Sequence, residues 1–296
     1  MNERLITGLS TRLLGACFII SGVASSVCVA ADPPLMFVGD IEHRGINPFG
    51  ASQLDYTLEK TEVVASPVRY GKHALKLQLD RQQHIDKKDH RTDFWIKGMS
   101  KRFLMGEEYW YGFSTYWPDC WQPDTQSELF VQWVGWRNYG PSLAIYVYGE
   151  DYCIKKRWAA GETSYKNLWR GKVTEDKGNW VDWVFRVRWS AGEDGLVEAW
   201  RNGEKIVSNV GRNCGPGQFA DYFKFGIYKW PWKEPQEKTP STVTRRTLYI
   251  DEIRIGDKNA SYDLVSPPPT IQTNKEPERT AQQMHGEQRL TRPDPQ

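Results

Sequence analysis

The chain has 296 residues and a formal net charge of only +2, so it lacks the global positive field of a dedicated nucleic-acid binder and must meet any anionic partner with a local patch. That length is enough for one sizeable core, and a single main domain is the working expectation. The 14 Trp and 14 Tyr are more large rings than a core alone needs, which points to a surface that uses aromatic faces.

In chain order, Arg4 and Arg12 flank the start of an apolar run from Leu13 through Val23, and small residues lead to Val29, Ala30 and Ala31 before Asp32, Pro33 and Pro34. This is the layout of a secretory signal peptide over residues 1–30, and it predicts a secreted or periplasmic protein. Leu14-Gly15-Ala16-Cys17 is a faint lipoprotein-like box, but too little apolar sequence precedes it. No later segment is long and apolar enough to span a bilayer, so no membrane partner is expected after cleavage. Cys17 and Cys28 leave with the leader. Cys120, Cys153 and Cys214 then remain in an oxidising setting, where three cysteines allow one disulfide of unreadable pairing and one free thiol.

From Val38 to about Leu264 the sequence is a succession of short alternating or aromatic-rich runs broken by Gly, Pro, Asn and Asp, with no helical period. The spacing predicts strands over 74–79, 91–96, 109–117, 128–134, 142–148, 180–189, 196–200, 205–207, 222–228 and 247–255. Many strands without crossover helices imply an all-β sandwich or jelly roll. Asn202-Gly203, set between Val197-Glu198-Ala199-Trp200 and Glu204-Lys205-Ile206-Val207, is a hairpin turn, because both turn positions tolerate positive φ. Trp230 to Thr242 reads as a long loop. The main domain is expected over 31–265, and after Pro267-Pro268-Pro269 the chain turns polar, so 266–296 is expected to be a disordered tail.

Alternation places Phe223, Phe225 and Ile227 on the core face of one strand, which turns Tyr222, Lys224, Tyr228 and Trp230 to the other face beside Gly226. On a second strand Leu129, Val131 and Trp133 are assigned to the core, and Glu128, Phe130, Gln132 and Val134 to the open face. A third puts Arg91, Asp93 and Trp95 on one face and Thr92, Phe94 and Ile96 on the other. A guanidinium, an amide, an ammonium and phenols on one sheet face are what an anionic sugar requires, and a solvated face is the plainer alternative. Lys155-Lys156-Arg157-Trp158, followed by Tyr165, Lys166, Trp169, Arg170 and Lys172, mixes bases with rings as a wall for an acidic chain would, or forms a solvated loop.

These motifs resemble the heparin lyase I-like polysaccharide lyases, and the strand motifs are similar to those of jelly-roll alginate lyases and glucuronan lyases. The Tyr-Phe-Lys-x-Gly-x-Tyr run of the alginate lyases is matched at Tyr222 to Tyr228. Their Arg-Ser/Thr-Glu strand is approximated by Arg91-Thr92-Asp93, and their Gln-x-His strand by Gln132-Trp133-Val134. Tyr109-Trp110-Tyr111-Gly112-Phe113-Ser114, Gly178-Asn179-Trp180-Val181-Asp182 and Tyr249-Ile250-Asp251-Glu252-Ile253-Arg254-Ile255-Gly256 extend the resemblance over Val38 to Asp257.

The resemblance implies a concanavalin A-like sandwich of two antiparallel sheets with a concave groove, acting on a uronic-acid-containing acidic polysaccharide by β-elimination. A proton leaves C5 of the uronate, charge spreads into the carboxylate and the 4-linked sugar departs. Arg91 and Gln132 are implied at the carboxylate and Tyr228 at the bond. Lys224 is expected to favour the phenolate of Tyr228 by proximity. Asp93, Tyr146, Tyr222, Trp230, His90 and His43 complete the expected substrate-binding set. The family's usual base, the His of Gln-x-His, is Val134 here. That leaves Tyr228 as both base and acid, or a histidine from elsewhere, His43 or His90. His90 is the weaker of these, because alternation turns it away from Arg91. The chemistry requires no cofactor. Some relatives hold a structural Ca²⁺ where the first and last strands meet, which the resemblance places at Asp40 and Asp251, although surface carboxylates without metal are the commoner arrangement.

A monomer is the default expectation. Nucleic acid is an improbable partner for an exported chain. A glycoside hydrolase of this shape needs two carboxylates flanking the bond, and no Glu-x-Asp-x-Glu pattern is present. A lectin-like binding protein is the serious rival, since such a face binds glycans without a catalyst.

Overall fold

Every strand expected from alternation forms, because the apolar positions recur at the strand period and the breaks fall at turn residues. The computed structural model describes residues 33–51, 54–81, 90–135, 139–161, 163–217, 219–233 and 240–269. The expected signal peptide lies outside these residues, as does the tail from 270. Its strands are β1 (Leu35–Val38), β2 (Phe49–Ala51), β3 (Thr61–Val64), β4 (Ala74–Asp80), β5 (Arg91–Ile96), β6 (Glu108–Tyr116), β7 (Asp124–Val134), β8 (Leu143–Gly149), β9 (Asp151–Arg157), β10 (Tyr165–Lys172), β11 (Trp180–Arg188), β12 (Leu196–Arg201), β13 (Glu204–Val210), β14 (Tyr222–Tyr228) and β15 (Arg245–Gly256). Three short helices, α1 (Ile41–Arg44), α2 (Leu54–Glu59) and α3 (Tyr262–Val265), join them.

The strands make a jelly-roll sandwich of two antiparallel sheets. One runs β13-β12-β11-β6-β15-β4-β3, with β1 also on β15, and the other β10-β9-β8-β7-β14-β5-β2. Between them lies a core rich in rings, in which Trp133, Trp183, Trp189, Tyr111, Phe113 and Phe185 are fully buried. Truncating one such Trp to Ala removes about 3–5 kcal/mol. The turn at Asn202 (φ 49°) and Gly203 (φ 87°) joins β12 to β13 as a tight hairpin.

Alternation did not reveal the short strands β1, β2 and β3, nor the longer β9 and β10, where the basic-aromatic stretch 155–172 had no clean period. The last two form the free edge of the seven-stranded sheet, and a register shift between Asn167 and Trp169 explains the lost pattern. The first residues assigned to the tail are held in place. Arg254 Nη1 donates to the Ser266 carbonyl at 2.7 Å and Arg69 Nη2 to the Pro268 carbonyl at 2.9 Å. The expected loop from Trp230 opens with a 3₁₀ turn over Trp230–Lys233. No described cysteine is bridged. Cys120 is exposed, while Cys153 and Cys214 are buried thiols.

Candidate functional site

The outer face of the seven-stranded sheet is built by β5, β14, β7, β8 and β9 in adjacent rows. Phe223, Phe225 and Ile227 of β14 enter the core, as alternation requires, so Lys224 and Tyr228 emerge on the opposite side. Cross-strand pairing then fixes their neighbours: Tyr228 lies opposite Arg91 on β5, and Lys224 opposite Gln132 on β7. The Arg91 guanidinium sits 4.0 Å from the centroid of the Tyr228 ring. Three strands therefore deliver Arg91, Gln132 and Tyr228 to one face.

Asp93 is the hub of this group. Its side chain is 1% exposed, and Oδ2 meets Lys224 Nζ at 2.8 Å, Gln132 Nε2 at 3.4 Å and Arg91 Nη1 at 3.6 Å. A buried carboxylate so surrounded orients its donors. Because an amide nitrogen carries two hydrogens, Gln132 can serve Asp93 and a ligand together.

Next to Tyr228 a depression of about 260 Å³ is lined by Leu129, Tyr146, Tyr148, Lys155, Arg157 and Trp230, among others. The rings are in contact. Tyr146 stacks on Tyr148 with centroids 5.6 Å apart, and Trp230 lies 6.0 Å from Tyr146 and 5.8 Å from Tyr228. Lys155 Nζ donates to Tyr148 Oη at 3.0 Å and lies over the Tyr146, Tyr148 and Tyr165 rings. Tyr222 is half-buried, and burial together with Asp93 pushes its phenol above the usual range.

Several expectations need correction. Leu129 lies on the groove face beside Tyr146, and Phe130 is in the core against Trp117. A bulge between Leu129 and Val131 inverts the alternation upstream of it, which also turns Glu128 inward. Gly226 leaves no room for a sugar. A Cβ there would lie 2.2 Å from the Thr92 carbonyl oxygen, so this glycine (φ 119°) admits the backbone of β5 instead. Lys224 Nζ meets Asp93 at 2.8 Å, and about 13 Å of extended strand lies between its Cα and that of Tyr228.

Neither candidate histidine reaches the groove. His43, with its side chain 83% exposed, belongs to α1, which packs on β4 of the other sheet, and it bonds Asp40 at 2.9 Å. His90 is buried edge-on against Trp232 of the core. The calcium ligands do not fit either. Asp251 accepts backbone N–H groups from Glu252, Arg69 and Tyr70, and burial pushes its carboxyl up to about 7. Asp40 is taken by His43. Among the described residues no three His, Cys, Asp or Glu side chains gather into a metal-binding group. What sequence reasoning missed is the contribution of Tyr148, Lys155 and Arg157 on β8 and β9. Their signal was the mixed basic-aromatic composition, left there as a choice between wall and loop.

Among curated proteins none matches this sequence. Among solved structures, the chain is similar to an endo-β-1,4-glucuronan lyase from the fungus Trichoderma reesei, with a TM-score of 0.59 at 18% identity over 79% of this chain and 94% of that one. A glycoside hydrolase family 131 catalytic domain from Coprinopsis cinerea gives 0.48 at 12% identity, over 69% and 80% of the two chains. An alginate lyase of polysaccharide lyase family 7 gives 0.46 at 13%, over 63% and 81%. The likeness to the glucuronan lyase speaks for the fold alone. The family model described as polysaccharide lyase matches residues 39–254, well over half of the chain and the whole of the site just described, and this chain belongs to the polysaccharide lyase family.

Proposed function

We propose that this polysaccharide lyase is exported and cleaves a 4-linked, uronate-containing polymer by β-elimination on the outer face of the seven-stranded sheet. Within its family the heparin lyase I-like group is the subtype its motifs favour. The observation that carries the reading is the stacking of Arg91 on Tyr228, one strand away from Gln132, on a face with several cations and one buried acid among these groups. Elimination must stabilise a carboxylate that gains a second negative charge as C5 loses its proton. Preorganised donors are the largest source of such stabilisation. Arg91 supplies charge and Gln132 a hydrogen bond to that carboxylate, both steadied from below by Asp93.

Tyr228 then acts on the bond. With His43 and His90 turned away and Val134 in the place of the family's base, the phenol takes the C5 proton as phenolate and returns it to the departing oxygen. One group serves both steps when proton and leaving group lie on the same side of the ring. The tyrosine and tryptophan rings beside it offer flat faces for neighbouring sugars, and Lys155 and Arg157 offer charge to further acidic units.

The test is a panel of glucuronan, alginate, heparin and hyaluronan followed at the ultraviolet absorbance of the unsaturated product. Absorbance growing with one polymer supports the reading. New reducing ends without absorbance would indicate hydrolysis, and tight binding with neither would favour a lectin-like protein. Export is tested separately: the extracellular or periplasmic form should begin near Ala31 by mass spectrometry.

A further inference from the structure

Between the two groove residues Tyr228 and Trp230 stands Lys229, whose side chain is 0% exposed and points into the sandwich. Its Nζ lies 2.6 Å from Asp124 Oδ2 and 3.0 Å from Glu128 Oε2, and donates to the Gln126 carbonyl at 3.0 Å. All three partners belong to β7, the strand that carries Gln132. Glu128 is shared with Arg246 Nε at 2.8 Å, and Arg246 Nη1 donates to the Gln122 carbonyl at 2.7 Å. Asp124 also accepts from Ser241 Oγ at 2.6 Å and Thr242 N at 2.8 Å. Two acids and two bases are thus sealed together beneath the groove.

Burying ion pairs roughly breaks even against packing hydrocarbon of the same volume, so the network is poorly explained as a source of stability. Its location suggests a different use. The pairing of β14 with β7 is irregular between Phe225 and Tyr228, and Gly226 sits in a left-handed conformation there. The backbone ladder is therefore weakest where the phenol must be held most firmly. Lys229 restores the tie through its side chain to β7, and its backbone N–H donates to the His90 carbonyl at 2.9 Å, one residue before Arg91. One residue joins the three strands that bear Tyr228, Gln132 and Arg91.

We propose that Lys229 is a positioning residue for the elimination, and that its buried pairing with Asp124 and Glu128 holds the Tyr228 phenol in register with Gln132 and Arg91. This rests on the reading of Tyr228 given above. A misplacement of about 1 Å at a reacting group costs roughly 10²-fold in rate, whereas Tyr146, Tyr148, Lys155 and Arg157, which supply most of the rings and cations for the polymer, lie on β8 and β9 and stay in place. Loss of the anchor therefore acts on kcat and spares KM.

The experiment compares the full chain with the charge-balanced double variant Lys229→Met/Asp124→Asn, which leaves Glu128 paired with Arg246. Both are assayed on glucuronan, or on whichever polymer of the panel the unaltered protein cleaves. The expected result is a fall in kcat of about 10²-fold, with KM within threefold and an unchanged near-ultraviolet circular dichroism spectrum. Unchanged kcat in a folded double variant overturns the proposal, and so does a rise in KM that accounts for the whole loss. Should the double variant not fold, Lys229→Arg keeps the charge but lengthens the side chain. A folded Lys229→Arg protein with lowered kcat and constant KM supports positioning, and one with unaltered kinetics overturns it. An unaltered protein that yields no unsaturated product from any polymer refutes the lyase chemistry assigned to Tyr228 rather than the role of Lys229.

Discussion

The outer faces of the two sheets are made from the same residue types and arranged for opposite ends. On the eight-stranded sheet the cations meet carboxylates: Arg186 pairs with Glu108 at 2.7 Å and Glu198 at 3.1 Å, Lys205 with Glu198 at 2.6 Å, and Arg69 with Asp182 at 2.6 Å. Trp110 and Trp200 stack beside them, and α3 packs over that cluster through Val265 and Tyr262. On the seven-stranded sheet, Arg91 lies on a tyrosine face and Lys155 among three, with Asp93 at the centre. A cation already matched at hydrogen-bond distance has little left for an incoming anion. Lys155 is held instead by a phenol oxygen and by tyrosine rings, which leave its positive charge unneutralised. Composition does not distinguish a stabilising face from a binding face, whereas the presence of matched carboxylates does.

That contrast can be broken experimentally. Tyr228→Phe keeps the ring and removes the proton carrier, so turnover should fall by about 10²- to 10⁴-fold with the fold intact, read at the ultraviolet product. Gln132→Ala should lower kcat by about 10²- to 10³-fold, and a loss below threefold removes it from the carboxylate. Lys155→Met should reduce kcat/KM on the acidic polymer by about tenfold or more and flatten its dependence on salt, since a hydrogen bond to a charged group is worth about 1.5–3 kcal/mol.

A pH series probes the sealed charges between the sheets. Burial pushes the Asp124 carboxyl up, but hydrogen bonds from Lys229, Ser241 and Thr242 outweigh it and hold the group well below the usual carboxylate range. Its folded value is thus lower than its unfolded one. The stability it contributes is complete above about pH 4 and is lost as pH falls through the folded value. Thermal unfolding midpoints should drop on acidification below about pH 4, and more shallowly in Asp124→Asn, which titrates no group there. The smallest effect belongs to the matched face. Lys205→Met should change kcat/KM by less than twofold and stability by at most about 1 kcal/mol. A tenfold loss of activity there would mean that the eight-stranded face also handles the polymer.

Much of this was legible in the residues. The period-two pattern of 222–228 assigns each side chain of β14 to the face it occupies, and β5 follows the same rule, because the irregular pairing of β14 with β7 does not invert the alternation along β14 itself. Asn202-Gly203 announces its hairpin through the positive φ that both residues adopt. The sequence alone misled where alternation itself fails. The bulge at Leu129 to Val131 moves Phe130 into the core and Leu129 onto the groove, and no local signal marks it. Alternation put Lys224 on the face of Tyr228, but only the pairing of β14 with β5 brought its ammonium to the buried Asp93.

Local chemistry thus determined an all-β sandwich, most of its strands and the three residue types that share the groove, since each follows from side-chain periodicity within a few positions. Only the tertiary structure decided which charges are already neutralised, which histidines are turned away, and that Lys229 ties β14 to β7 under the phenol. The tie through Lys229 depends on pairings with Asp124 and Glu128, more than a hundred positions away, and no local pattern encodes a distant partner.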